Sequence, residues 1–121
     1  MKIVVGGQID KQKIADLAAK MGGDAVTVSI MGDIQAAMEV KNGGADYYLG
    51  ACHTGGGGAM SMAIALLGMV QCASLSMPGS IKSDEEIAKE VESGKKAFGF
   101  TAQHIDAVMP VLMQNLLAKT N

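Results

Sequence analysis

The sequence predicts a single α/β domain, spanning residues 1–121, with a mostly parallel sheet, and three observations lead to that class. The length of 121 residues suits one domain of ordinary size. Short apolar runs rich in Val and Ile alternate with stretches of helical periodicity, which is the pattern of repeated βαβ units. Glycines, several of them in pairs, close most of these runs and divide the chain into short elements.

Five short apolar runs are the predicted strands. The first is wholly apolar, which is typical of a strand covered on both faces of a parallel sheet. The second alternates Val and Ile with Thr27 and Ser29, as expected of a strand with one exposed face. The predicted strands are residues 3–5, 25–30, 47–49, 72–77 and 97–100.

Helix signals fill the segments between these strands. Asp33 and Thr101 stand where an N-cap would begin a helix, and Ser83 with Glu86 has the spacing of a capping box. Residues 59–67 form a helix that is apolar on nearly every side, so we expect it to be buried in the domain or against another subunit. Five strands with intervening helices predict a doubly wound, Rossmann-like or flavodoxin-like sheet with helices on both faces. The strand order is left open.

Composition excludes several functional classes. The net charge is -2, arginine is absent and the ten lysines are scattered, so we expect no nucleic-acid binding. Charged residues make up 18% of the chain, below the typical value of about 25%, which favours a homo-oligomer. No Cys/His spacing suggests zinc, and we predict neither a metal site nor a cofactor.

The chain is expected to be cytoplasmic. Its start shows no apolar signal-peptide region, and its longest apolar stretch, residues 59–70, is shorter than the ~20 residues that span a bilayer. Cys52 and Cys72 lie in apolar or glycine-rich surroundings, which is typical of reduced thiols rather than of a disulfide framework.

The glycine-rich turn after the third strand, residues 52–58, is the predicted ligand site. Consecutive glycines are costly in entropy, so an ordered turn retains them where the backbone needs positive φ or close approach. Both needs arise when amide N–H groups surround an anion at a helix N-terminus. The predicted anion-binding residues are Thr54, Gly55, Gly56, Gly57, Gly58 and Ser61, and the predicted catalytic residues are Cys52 and His53.

Each of these assignments has an alternative. The glycines could serve only to let the third helix pack on the sheet, Cys52 could be a buried inert thiol, and His53 could face solvent. Weaker candidates for the pocket wall are the Gly6-Gly7-Gln8 turn, the segment of residues 76–80 with Lys82, and His104.

Nearly the whole chain resembles a small bacterial family with a domain of unknown function, which includes YhfU-like proteins. The resemblance is carried by residues 33–43, by residues 46–65 with their Asp-Tyr-Tyr-Leu-Gly-Ala-Cys-His-Thr-Gly core, and by residues 77–79 and 96–99. Members tend to be encoded beside genes for transport and for pyridoxal-phosphate or sugar-phosphate enzymes. The resemblance therefore implies a role in a small catabolic pathway.

A second, local resemblance concerns only the turn. Cys52-His53-Thr54-Gly55-Gly56-Gly57 is similar to the Cys-Gly-Thr-Gly-x-Gly turn of ribose-5-phosphate isomerase B. This resemblance implies that Cys52 is the base of an aldose–ketose isomerisation, with Thr54, Gly55 and Gly57 around the oxyanion. The chain departs from that family by having Gly6-Gly7-Gln8 in place of its Asp-His pair and by lacking the arginine that binds phosphate.

Three functions remain open from the sequence. The leading one is binding of a small anionic metabolite, phosphorylated or carboxylated, at the glycine-rich turn. The second is an isomerase-like enzyme that uses Cys52 as a base. The third is a non-enzymatic subunit or carrier for a partner enzyme or transporter.

Overall fold

The computed structural model describes residues 1–53 and 60–120, and a five-stranded parallel sheet forms their centre. The strands of this sheet are β1 (Lys2–Gly7), β2 (Thr27–Ile30), β3 (Tyr47–Cys52), β4 (Cys72–Ser74) and β7 (Ala97–Thr101). Two further strands, β5 (Ser76–Met77) and β6 (Ser80–Ile81), form an antiparallel hairpin. The described helices are α1 (Lys11–Gly22), α2 (Asp33–Lys41), α3 (Ser61–Leu67), α4 (Asp84–Glu92) and α5 (Ile105–Thr120).

The strand order is β2-β1-β3-β7-β4, and the pairs formed by these five strands are parallel. The predicted doubly wound α/β architecture is thus confirmed. The chain passes from β1 to β2 on one side, and then returns to place β3 on the other side of β1. The gap between β1 and β3 is therefore a topological switch point, where open α/β sheets bind their ligands.

The two faces of the sheet carry separate apolar cores. Alternate residues of β3 illustrate the division, because Tyr47, Leu49 and Ala51 lie in one core and Tyr48 lies in the other. The first core is completed by buried side chains of α1, α4 and α5, and the second by those of α2 and α3. Helices therefore cover both faces, as predicted.

One predicted strand had the wrong bounds, and one predicted helix is little buried within the domain itself. The fourth strand, predicted for residues 72–77, ends at Ser74, and the chain then turns through the β5–β6 hairpin at Gly79, whose φ is +79°. The third helix was expected to be buried, yet Ala63 is the one fully buried residue of α3, because that helix packs against α2 along a single face. Burial of α3 against another subunit stays a prediction.

The fourth helix begins as its sequence indicates. The Ser83 hydroxyl accepts a hydrogen bond from the Glu86 N–H (3.2 Å), and the Glu86 carboxylate accepts one from the Ser83 N–H (2.9 Å). This reciprocal pair is the predicted capping box. Among the described helices, none has the length and apolar character needed to cross a membrane.

Candidate functional site

The carboxyl ends of β1 and β3 meet at the switch point. Gly7 pairs with Ala51, and the Gln8 N–H continues the contact by donating to the Ala51 carbonyl oxygen (3.0 Å). The backbone of Gly7 has φ +80°, and a Cβ there would lie 2.7 Å from the Ala51 nitrogen. Only glycine permits this close approach of the two chains. The loops after β1 and β3 consequently leave the sheet from neighbouring points.

The described residues of the predicted site are not equally accessible. Cys52 is the last residue of β3 and is fully buried, whereas His53 next to it is exposed. Ser61 is exposed at the first position of α3. The remaining predicted residues lie outside the described part of the chain: Thr54, Gly55, Gly56, Gly57 and Gly58.

Thr101 lies beside Cys52 at the same edge of the sheet. The two residues are in register at the ends of β7 and β3, and both are fully buried. The Thr101 N–H donates to the Ser76 hydroxyl oxygen (2.9 Å), which ties the end of β7 to the start of the hairpin. The sequence suggested Thr101 as a helix N-cap, but its hydroxyl makes no capping hydrogen bond.

Asp33 and Tyr48 form a polar pair that contacts the end of β1 at the switch point. The Tyr48 hydroxyl donates to Oδ1 of Asp33, and the Gly7 N–H donates to the same oxygen (3.2 Å). Asp33 was predicted to cap α2, but Gly32 holds that position, and the Asp33 carboxylate contacts β1 and β3 instead. The pair therefore anchors the start of α2 to the two central strands.

Glycines on the sheet make room for the Tyr48 ring. A Cβ on Gly6 would lie 2.5 Å from Cε2 of Tyr48, and a Cβ on Gly50 would lie 3.1 Å from the Tyr48 hydroxyl oxygen. Burial raises the pKa of Tyr48 far above its ordinary value, and the hydrogen bond to the Asp33 carboxylate raises it further. Tyr48 is consequently a neutral hydrogen-bond donor throughout the physiological pH range.

The chain matches known sequences over nearly its whole length. The family model described as "Protein of unknown function DUF2620" matches residues 1–116. The chain belongs to this family. It is 39% identical to the uncharacterized protein YhfU of Escherichia coli K12 over 115 residues, which are 95% of this chain and 97% of that protein. The YhfU proteins of Escherichia coli O6:H1 and Shigella flexneri match equally well. No solved structure gives a significant match.

Two polar side chains near this edge were not among the main sequence predictions. In this DUF2620 protein, the Lys11 ammonium donates to the Met31 carbonyl oxygen (3.0 Å), which holds a positive charge close to the ends of β1 and β2. His104, a weak candidate from sequence, lies on the turn after β7, and its Nδ1 is buried without a hydrogen-bond partner among the described residues. Within the same part of the chain, no group of His, Cys, Asp and Glu could hold a metal ion.

A separate open cavity of about 350 Å³ lies at the end of β4. Its lining combines serine hydroxyls with one ammonium group: Ser74, Leu75, Ser76, Met77, Ser80 and Lys82. Hydrogen bonds from Ser83 lower the pKa of Glu86, and the charge of Lys82 contributes to the same shift. Glu86 therefore offsets part of the positive charge that Lys82 brings to this cavity.

Proposed function

We propose that the protein binds a small anionic metabolite, phosphorylated or carboxylated, at the carboxyl edge of β1, β3 and β7, with residues 52–58 as the main contact. The observation that carries the proposal is the switch point between β1 and β3, because the glycine-rich segment leaves β3 at that point. The likeness to YhfU-like proteins favours a ligand from a small catabolic pathway. Neither Cys52 nor Cys72 forms a disulfide, which favours the reducing cytoplasm as the place of action.

The distribution of charge supports an anion rather than a cation. Residues 47–81 contain no Asp and no Glu, so no carboxylate from this stretch repels an anion from the ends of β3 and β4. The Asp33 carboxylate, which lies at the switch point, accepts hydrogen bonds from the Tyr48 hydroxyl and the Gly7 N–H. The Lys11 ammonium, fixed on the Met31 carbonyl oxygen, supplies positive charge on this edge.

Burial of Cys52 favours binding over proton transfer by its thiol. A catalytic base must reach the proton that it abstracts, and Cys52 has no exposed surface. The isomerase-like alternative predicts turnover of a sugar phosphate that is lost in Cys52→Ala and on alkylation of Cys52. Full turnover by Cys52→Ala would exclude Cys52 as the base.

A thermal-shift screen tests the binding proposal. The ligands are phosphate, sulfate, sugar phosphates and amino acids, and the variants are Gly57→Val and Lys11→Met, with Lys20→Met as the matched control on the exposed part of α1. A ligand at a hundred times its dissociation constant stabilises the fold by about 2.7 kcal/mol, which is several degrees for a domain of this size.

The proposal predicts that Gly57→Val loses the shift and that Lys11→Met weakens binding about threefold to tenfold, since a charge a few ångströms away contributes roughly 1 kcal/mol. Lys20→Met should bind as the wild type does. A folded wild-type protein that responds to none of these anions would refute the proposed function.

Exposed apolar side chains favour a second candidate, in which the protein is a subunit or carrier that acts with a partner or with further copies of itself. Ile34 on α2 is 61% exposed, and Met69 and Val70 after α3 are 75% and 80% exposed. Light scattering on the purified protein tests self-association. A homo-oligomer that dissociates in Ile34→Lys would support it, and a monomer at high concentration would refute it.

A further inference from the structure

We infer that the open cavity at the end of β4 binds a phosphoryl group, either of inorganic phosphate or of a small phosphorylated metabolite. The cavity has a volume of about 350 Å³, and its lining consists of six described residues: Ser74, Leu75, Ser76, Met77, Ser80 and Lys82. This inference goes beyond the proposed function and does not depend on it, because it uses neither the switch point nor the glycine-rich segment.

The β5–β6 hairpin presents a hydroxyl and an ammonium group on one of its faces. Met77 pairs with Ser80 across the hairpin, and the Lys82 N–H continues the pairing by donating to the Leu75 carbonyl oxygen (3.0 Å). Alternate residues of a strand point to the same face, so the side chains of Ser80 and Lys82 lie on the same side of the hairpin. Ser80 is exposed and Lys82 is half-buried, so a ligand can reach both from solvent.

Two further hydroxyls line the cavity, from β4 and β5. The Ser74 hydroxyl donates to the Ser76 carbonyl oxygen over 3.4 Å, which is longer than the usual range of about 2.5–3.0 Å for such a bond. The Ser76 hydroxyl oxygen accepts from the Thr101 N–H (2.9 Å), and this bond does not use the proton of the hydroxyl itself. Both hydroxyls are therefore available to donate to an anion in the cavity.

The lining of the cavity is positively charged. Lys82 is the one charged residue of the lining, and it belongs to neither ion pair of the described residues. Glu86, which the charge of Lys82 reaches, is exposed and accepts a hydrogen bond from the Ser83 N–H. Asp84 and Glu85 in the same turn of α4 are exposed as well. Because water weakens the effect of exposed charges, these carboxylates reduce the attraction for an anion without cancelling it.

The donors and the size of the cavity fit a phosphoryl group. Three hydroxyls and an ammonium group are hydrogen-bond donors for the several oxygens of a tetrahedral anion, and lysine is a common phosphate ligand. A water molecule occupies about 30 Å³ in the liquid, so the cavity has room for roughly ten waters, which is more than a phosphoryl group fills. The remaining space, beside Leu75 and Met77, fits a short carbon chain.

NMR titration of the backbone amides with inorganic phosphate and with glycerol 3-phosphate tests the inference. The wild-type amides of Ser76, Ser80 and Lys82 should shift. Lys82→Met should weaken binding at these amides about tenfold or more, the effect of a hydrogen bond to a charged group, and Ser80→Ala about threefold to tenfold. Lys89→Met is the matched control, because Lys89 also lowers the pKa of Glu86 but does not line the cavity. The same spectra show whether each variant is folded.

Glu86→Gln tests the sign of the charge effect. Glutamine can keep the capping box with Ser83 and removes the negative charge, so phosphate should bind about twofold to fivefold more tightly. An affinity that does not rise in Glu86→Gln, or one that is equal in Lys82→Met and the wild type, would overturn the inference. The two probes distinguish the sources of the phosphoryl group. Tighter binding of glycerol 3-phosphate indicates a phosphorylated metabolite, and phosphate bound at least as tightly indicates the free ion.

The positions of the shifted amides separate this cavity from the proposed site. Shifts at Cys52 and His53 without shifts at Ser80 and Lys82 would overturn the inference and leave the proposed function intact. Shifts confined to the hairpin would support the inference and place phosphate away from the switch point. A folded wild-type protein whose amides respond to neither probe would overturn the inference, whereas the proposed function fails only if the whole screen of anions is negative.

Discussion

Replacing Tyr48 by phenylalanine should destabilise the protein, because it removes the hydroxyl that donates to Asp33 at the switch point. The substitution deletes only the hydroxyl that donates to Asp33 and leaves the ring packed over Gly6. Because Asp33 is the first residue of α2 and Tyr48 belongs to β3, the bond joins a helix start to the centre of the sheet. Its loss should therefore affect the global free energy of unfolding rather than one local segment.

The magnitude follows from the charge and burial of the two partners. A hydrogen bond to a charged group contributes about 1.5–3 kcal/mol to stability. Asp33 is only half-buried and keeps the bond from the Gly7 N–H, so the lower part of this range applies, about 1.5–2 kcal/mol. For a domain of this length, that loss lowers the melting temperature by roughly 6–8 °C.

Chemical denaturation of a double-mutant cycle measures the interaction itself. Tyr48→Phe should cost about 1.5–2 kcal/mol in the wild type and about 1 kcal/mol less in an Asp33→Ala background, where this acceptor is absent. Tyr47→Phe is the matched control, because Tyr47 is also buried and lies on the opposite face of β3. Equal costs of Tyr48→Phe in the two backgrounds would refute the assignment of this bond as the anchor of α2.

Three further predictions concern pH, backbone conformation and thiol reactivity. The raised pKa of Tyr48 means that the unfolded chain loses its phenol proton near pH 10.0 while the folded protein keeps it. The contribution of Tyr48 to stability should therefore be full below pH 10 and be lost as the pH rises above it, so the free energy of unfolding should fall less steeply above pH 10 in Tyr48→Phe. Gly7→Ala should lower the free energy of unfolding by about 2 kcal/mol or more, since φ is +80° and the new Cβ would collide with the Ala51 nitrogen. A melting temperature within about 2 °C of the wild type, which corresponds to about 0.5 kcal/mol, would contradict this prediction. A thiol reagent should label Cys72 slowly, because this thiol is half-buried and burial raises its pKa. The fully buried Cys52 should react only after denaturant is added, and rapid labelling of Cys52 in the native protein would contradict its burial.

Much of the architecture could be predicted because its signals are local. The wholly apolar first strand, the alternation of Val and Ile with Thr27 and Ser29 in the second, and the spacing of Ser83 and Glu86 depend on residues within a few positions of one another. Strand and helix periods, caps and turn glycines act over such distances. The sequence accordingly predicts the α/β class with helices on both faces, and it predicts the capping box of α4.

The hydrogen-bond partners at the edge of the sheet that carries the candidate site depend on the tertiary structure. Asp33 bonds to Tyr48, which is 15 positions away, and Thr101 bonds to Ser76, which is 25 positions away. No local pattern reveals such partners, so Asp33 was wrongly predicted as the cap of α2, the ordinary local role of Asp before a helix. Thr101 does hold the N-cap position of the turn Ala102–His104, but its hydroxyl makes no capping bond. The strand order was equally inaccessible, because placing β7 between β3 and β4 depends on packing across the whole sheet. Sequence alone thus identified the elements and the glycine-rich segment, while the fold determined which buried polar groups of the described residues are hydrogen-bonded and which are not.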